Sequence, residues 1–298
     1  MRSVDSVSWD RVTDTVVVGS GGAGLAAALT ASETDVETLV LEKASVLGGT
    51  TAVSGGALWI PNTRPIVEER GETDDEKLQT YIQKVAGDRV SGEMISQFVE
   101  EGPEVIDYLE EETPLEFTFA GYPDYHPDWE GAHPEGQTIE PALYDGNRLG
   151  EKLDNVRENP HTPIPTNIGE MMDHGGMAKF PVVADWAELS ERMTNNTVGT
   201  GRALIAGLYE ACLDHGVEFE TDAPAEALIT DGDEVAGIVA AVDGDERCIR
   251  AESVVIASGG MEWDEEMCEN FLAGPRVRPT TRATASRWGW KSARNSGT

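Results

Sequence analysis

Three β-branched residues, Val16-Val17-Val18, run directly into Gly19-Ser20-Gly21-Gly22-Ala23-Gly24, and these into Leu25-Ala26-Ala27-Ala28-Leu29, a strong helix-forming stretch. Glycines spaced Gly19-x-Gly21-x-x-Gly24 between a strand and a helix suit the binding of a dinucleotide diphosphate. Gly19 permits a tight turn, Gly21 lets backbone approach the phosphates where a Cβ would intervene, and Gly24 lets the helix close on the strand. The helix N-terminus adds N–H groups and a partial positive charge, worth up to about 2 kcal/mol toward a partly buried anion. Thr38 to Leu41 reads as a second apolar strand, and Glu42 at its end lies 18 residues after Gly24. A carboxylate there can accept hydrogen bonds from ribose hydroxyls. Together these segments form a βαβ unit of about 30 residues.

The next segment, Gly48-Gly49-Thr50-Thr51-Ala52-Val53-Ser54-Gly55-Gly56-Ala57-Leu58-Trp59-Ile60-Pro61-Asn62, resembles the isoalloxazine-contacting loop of the fumarate reductase and succinate dehydrogenase flavoprotein superfamily. It is most similar to the loop of 3-ketosteroid Δ1-dehydrogenases and their near relatives. The resemblance implies FAD, with backbone amides reaching the flavin ring and Thr and Ser hydroxyls bonding its polar rim. Superfamily members that bind FAD covalently carry a histidine at the position matching Gly49, so glycine here implies non-covalent FAD. Gly199-Thr200-Gly201-Arg202-Ala203-Leu204 opens a helix as in the superfamily. Ala223-Pro224-Ala225 begins a strand whose backbone touches adenine in relatives, and Val254-Val255-Ile256-Ala257-Ser258-Gly259-Gly260 resembles the strand that returns to the dinucleotide. The matches run from about residue 12 to 275. The implied FAD contacts are Gly19, Ser20, Gly21, Gly22, Ala23, Gly24, Glu42, Lys43, Ala44, Gly48, Gly49, Thr50, Thr51, Ser54, Gly55, Gly56, Ala225, Ala257, Ser258 and Gly259. Gly121-Tyr122-Pro123-Asp124-Tyr125-His126-Pro127 resembles the segment that places an active-site tyrosine in ketosteroid dehydrogenases. It maps that tyrosine onto Tyr125, with Tyr122 as second choice. A phenol can polarise a carbonyl or, assisted, accept a proton; an aromatic–proline packing cluster is the other reading. His126 and His133 offer acid/base groups, with ordinary surface histidines as the other reading.

Around these motifs, helical periodicity covers Asp74 to Val85, Ser91 to Glu111 and Gly201 to His215, whereas Glu112 to Val198 is irregular and rich in Pro, Gly, His and aromatics. Short strands follow at Pro224 to Thr230, Glu234 to Val242, Arg247 to Arg250 and Ser253 to Ala257, with hairpin turns at Asp231-Gly232-Asp233 and Asp243-Gly244-Asp245. The expected fold is α/β: a Rossmann-like FAD-binding domain over 12–273, with its core at 12–62 and 199–260, a β-meander, and a helical and loop-rich insertion at about 66–198. No capping domain is expected.

With 55 Asp and Glu against 22 Lys and Arg, the net charge is −33, which opposes nucleic acid and anionic membrane as partners. Such a shell suits a halophilic, salt-loaded cytoplasm, where repulsion is screened over about 3 Å at molar salt. Cys212, Cys248 and Cys268 lack metal or disulfide spacing, and no metal is expected. No apolar run reaches the roughly 20 residues of a membrane helix, and no secretory signal is apparent. Pro275 to Thr298 holds six Arg or Lys and no Asp or Glu, which reads as frame-shifted sequence in a truncated member; a genuine basic arm is the alternative.

The expected activity is dehydrogenation or reduction of a C–C bond next to a carbonyl in a 3-ketosteroid-like substrate, with hydride passing to flavin N5 and electrons to a separate acceptor. A fumarate reductase-like enzyme acting on a dicarboxylate and an inactive fragment are the competing readings.

Overall fold

A computed structural model describes residues 1–34, 36–160, 162–176 and 178–271; the basic stretch from Pro275 lies outside them. The chain forms two compact units. One comprises Met1–Thr50, Asp154–Arg157 and the chain from Ala211; the other comprises Thr51–Leu153 and Glu158–Glu210.

The first unit is built on a four-stranded parallel sheet in the order Glu218–Glu220, Thr38–Leu41, Thr15–Val18, Ser253–Ile256. The register sets Val16 beside Leu39 on one side and Val254 on the other. Thr15–Val18 and Thr38–Leu41 are buried along their whole length, which is why they read as unbroken apolar runs rather than alternating ones. One face packs Val16, Val18, Leu39 and Leu41 on Ala223, Ala225, Ile238, Ala240 and Ile249. The helix Gly22–Ser32 lies against the two central strands, with Leu25, Ala28 and Leu29 fully buried.

The meander is a five-stranded sheet ordered Arg2–Ser3, Ala225–Asp231, Glu234–Val242, Asp245–Arg250, Arg11–Val12. Its turns are those read from Asp-Gly pairs: Gly232, Asp243 and Gly244 have φ of +60°, +53° and +83°. Residues 2–12, assigned no element above, pair in parallel with both outer strands and cap the sheet edges. Two-residue strands carry no period, so the sequence hides them. Val4, Val7 and Trp9 then cover Ile229, Val239 and Cys248.

In the second unit the helices Asp75–Ala86 and Gly92–Glu112 start on Asp74 and Ser91, whose side chains accept from the N–H groups of Lys77 and Met94. The stretch from Glu112 to Val198 departs from the irregular chain expected of it. It contributes two strands to an antiparallel sheet, Leu58–Trp59, Thr138–Pro141, Phe117–Phe119, and holds the helices Ile168–Asp173 and Trp186–Thr194. Strands this short show no alternation, and the central one is disguised by Glu140, a buried carboxylate.

Glu140 accepts from the N–H groups of Ile168 and Gly169 at 2.6 and 2.7 Å. Burial nevertheless pushes its carboxyl up from 4.5 to about 6. The folded protein therefore holds a proton that the unfolded chain has already lost between those values. This contribution to stability is complete below pH 4.5 and fades as pH rises through 6, by on the order of 2 kcal/mol. Melting temperatures across that window should fall more steeply for the wild type than for Glu140→Gln. Parallel curves would show that the proton is not held. Among the described residues no helix is long and apolar enough to cross a membrane.

Candidate functional site

In the first unit, the carboxyl ends of Thr15–Val18, Thr38–Leu41 and Ser253–Ile256 converge. Gly19 donates its N–H to the Leu41 carbonyl at 2.8 Å, and Ala257 donates to Val18 at 2.9 Å. Gly19 has φ +104°, and a Cβ there would meet the Ala257 carbonyl oxygen at 2.6 Å; one on Gly24 would meet the Gly19 oxygen at 2.0 Å. Gly21 caps the helix without a side-chain hydrogen bond, and no acidic residue stands in the first turn. An anion is therefore the natural complement of this helix end. Gly49, at φ +49°, lies over Gly21, its ideal Cβ 3.9 Å from the Gly21 Cα.

Glu42 is buried beside this turn. Its Oε2 accepts from the Ser20 N–H at 3.1 Å and the Ser20 hydroxyl at 2.6 Å, and its Oε1 accepts from the Ala44 N–H at 2.9 Å. A carboxylate has about four acceptor positions, so one remains for a ribose hydroxyl. Ser20 Oγ in turn accepts from the Gly48 N–H at 3.0 Å. The N–H groups of Asp222 and Ala223 donate to Ala44 and Glu42, which brings the approach to Ala225 alongside. Ser258 Oγ is buried with no hydrogen-bond partner.

In the second unit, the segment from Thr51 to Gly56 packs backbone on backbone against Gly199–Gly201. A Cβ on Gly201 would meet the Thr51 oxygen at 1.8 Å, and one on Gly56 (φ +74°) the Thr200 carbonyl carbon at 2.7 Å. The Gly201 N–H donates to the Ser54 carbonyl. Ser54 Oγ donates to the Thr51 carbonyl and accepts from the Gly56 N–H, so this hydroxyl ties its own loop. Thr200 sits left-handed at φ +55°, a strain of about 1–3 kcal/mol that functional turns tend to carry. Nothing in its residue type announces it.

The same unit carries an open cavity of about 470 Å³ bordered by Trp59, Tyr81, Phe98, Tyr122, Tyr125 and Met171 among others. Trp59 stacks on Tyr81 and Phe98 at centroid separations of 5.8 and 6.4 Å. Tyr122 and Tyr125 meet edge to face at 6.4 Å; Tyr125 is 86% exposed and Tyr122 37%. The loop that carries them is fixed by buried Asp124, which accepts from Trp59 Nε1–H at 2.7 Å and the His133 N–H at 2.8 Å. Arg70, stacked on Phe119, donates to the Gly136 carbonyl. His126 stacks on Trp129, and burial lowers the His133 imidazole below its ordinary value. Trp59 and Asp124 lie within the motifs read from sequence but were given no role there, and Tyr81 was not picked out; their spacing of 22 and 43 residues carries no local pattern. Asp124→Ala leaves two donors unanswered, and at about 1–3 kcal/mol each should lower the melting temperature by roughly 5–10 °C. Asp124→Asn, which keeps one acceptor, should lose about half as much. A loss under 2 °C for Asp124→Ala would show the clamp to be idle.

The family model described as FAD binding domain matches residues 14–286. The chain belongs to the FAD binding domain family. It is 37% identical over 268 residues to a 4-oxocyclohexanecarboxylate 2-dehydrogenase of Sinomonas cyclohexanicum, covering 87% of this chain and 45% of that protein. It is 34% identical over 283 residues to a 3-oxosteroid 1-dehydrogenase of Mycolicibacterium smegmatis, covering 88% and 49%. The 3-ketosteroid Δ1-dehydrogenase of Sterolibacterium denitrificans, solved with 1,4-androstadiene-3,17-dione, superposes with a TM-score of 0.81 at 28% identity, over 94% of this chain and 55% of that one. The chain thus spans about half the length of these relatives. The residues present fit the family's cofactor: Gly19 and Gly24 are crowded as a diphosphate turn demands, the helix end lacks an anion, Glu42 keeps an acceptor position, and Ser258 Oγ has no partner.

Proposed function

We propose that this chain supplies the FAD site and the substrate-facing tyrosines of an oxidoreductase acting on a C–C bond next to a carbonyl in an apolar cyclic ketone. Residues 12–62 and 199–260 would be the nucleotide-binding core, and about 66–198 the insertion that carries the tyrosines. The observation that carries the reading is the apolar cavity of about 470 Å³ with Tyr122 and Tyr125 on its rim. Its size falls in the ligand range of about 300–1,000 Å³. None of its described lining residues is Arg or Lys, whereas a dicarboxylate would need cations. The relatives named for 4-oxocyclohexanecarboxylate and 3-oxosteroids share a ring ketone, which fits a wall of Trp59, Tyr81 and Phe98.

When bound, FAD supplies a hydride acceptor at N5. The first unit would hold its diphosphate on the Gly19–Gly24 turn and its ribose on Glu42, without a covalent bond, since residue 49 is glycine. Tyr125 Oη would take the proton from the carbon next to the carbonyl or polarise the carbonyl oxygen, and Asp124 would keep its loop in place. Free, buried cysteines support a reducing, cytoplasmic setting.

The test is to saturate the purified chain with FAD and add a 3-ketosteroid with an artificial electron acceptor. Dye reduction is the expected result. Oxidation of reduced viologen by fumarate, with no response to the ketone, would replace this reading with the dicarboxylate one. A chain that takes up no flavin would remove both.

A further inference from the structure

The chain has 55 acidic and 22 basic residues, and most of its described arginines sit in ion pairs. Arg2, Arg11, Arg64, Arg148, Arg192 and Arg247 each lie within 4.0 Å of an Asp or Glu oxygen. Arg157 has no such partner among the described residues, and its Nε is buried without a hydrogen bond. Its guanidinium instead lies over the Trp263 ring, 5.2 Å from the centroid. A guanidinium stacked in this way keeps its N–H edge free for a planar or tetrahedral anion.

The position of Arg157 says which anion. Its N–H donates to the Leu47 carbonyl at 3.0 Å, and Val156 bridges Leu47 in parallel. Leu47 leads into Gly48, whose N–H is bound to Ser20 Oγ, and Gly49, which lies over Gly21. Trp263 is fixed on the same loop, since its indole N–H donates to Thr50 Oγ1, which donates to Glu262 at 3.0 Å. Glu262 accepts from Thr50 Oγ1, and among the described residues no ion pair joins it to Arg157. Lys43 belongs to the same charged cluster: burial lowers its ammonium, while Glu42 and Glu262 oppose that shift more than Arg157 adds to it. Arg157 is thus attached through Leu47 and Trp263 to the loop that lies over the glycine turn and its uncapped helix end.

We propose that Arg157, held flat by Trp263, is the counter-cation of the FAD diphosphate. The inference rests on the reading of this chain as an FAD-binding one. The guanidinium adds hydrogen bonds to charged oxygens, each worth about 10- to 100-fold in affinity, to the helix-end interaction. Trp263 takes no part in phosphate contact; it sets the plane of Arg157.

Calorimetric titration of the full chain with FAD, ADP and riboflavin tests this. Arg157→Gln should weaken FAD and ADP by about 10- to 100-fold, leave riboflavin within threefold, and leave the ligand-free melting temperature unchanged. Arg157→Lys, which keeps the charge and loses the planar N–H edge, should recover only part of the loss. Should Arg157→Gln fail to fold, Arg157→Met, which keeps the stem packed on Trp263, carries the same expectation. FAD and ADP affinities within threefold of wild type, or an equal loss for phosphate-free riboflavin, would overturn the inference while leaving the FAD reading intact. A wild-type chain that binds no FAD would overturn both.

Discussion

Gly24→Ala should yield a folded but colourless protein that no longer retains FAD. The added Cβ would stand 2.0 Å from the Gly19 carbonyl oxygen and 3.0 Å from its carbon, both backbone atoms. Relief requires either the helix Gly22–Ser32 to back off or the turn to open. The turn cannot yield easily, because Gly19 is itself at φ +104° and pressed on Ala257 and Ser258. Overpacking of this kind costs about 1–3 kcal/mol, which should lower the melting temperature by several degrees. The larger effect should fall on the cofactor, since the helix end proposed to hold the diphosphate moves with the helix. FAD affinity should drop by at least about 100-fold, the equivalent of about 2.7 kcal/mol, read from flavin absorbance after desalting. Gly92→Ala is the control: no atom lies within 4 Å of its ideal Cβ, and in a helix the substitution should be neutral or stabilising by about 0.5–1 kcal/mol. Full FAD retention by Gly24→Ala would show that the turn does not bind the diphosphate.

Tyr125→Phe carries the second large effect. The exchange keeps the ring and its edge-to-face contact with Tyr122 and removes only the hydroxyl, so folding and FAD binding should be unchanged. If Oη handles the proton or the carbonyl, ketone turnover should fall by about 10²–10⁴-fold. Tyr122→Phe should cost less than tenfold, because Tyr122 is the less exposed partner and the resemblance favours Tyr125. The reverse ranking would move the role to Tyr122. Two variants with full activity would leave the cavity as a binding surface whose acid or base comes from elsewhere.

The strand, glycine turn, helix, strand and Glu42 were legible in sequence because each depends on near neighbours: β-branched runs, glycine spacing and helix propensity. The Asp-Gly hairpins were legible for the same reason. Other parts depend on residues brought together from afar. Arg157 belongs to a four-residue excursion, Asp154–Arg157, that joins the first unit beside Leu47. No local pattern marks it. Trp59 and Asp124 meet across 65 residues, and the value of Asp124 lies in that meeting. Ser54 was read for its hydroxyl, yet loop closure uses that hydroxyl. Glu140 concealed a strand because a buried carboxylate breaks the apolar signature on which strand reading relies.

The edge strands at residues 2–12 also bear on the order in which the protein can be made. Arg2 pairs with Ile229, and Arg11 with Ile249. Thr15–Val18, at the centre of the parallel sheet, is flanked by Ser253–Ile256. During synthesis residues 2–12 therefore find their strand partners only once the chain through Ile229 and Ile249 has been made. Residues 51–153 and 158–210 form a compact unit whose strand pairings are all internal. Closing loops of more than 200 residues is entropically slow. The parallel sheet that carries the glycine turn is thus closed only after Ser253–Ile256 has been made, and until then its early strands have apolar edges and no neighbours.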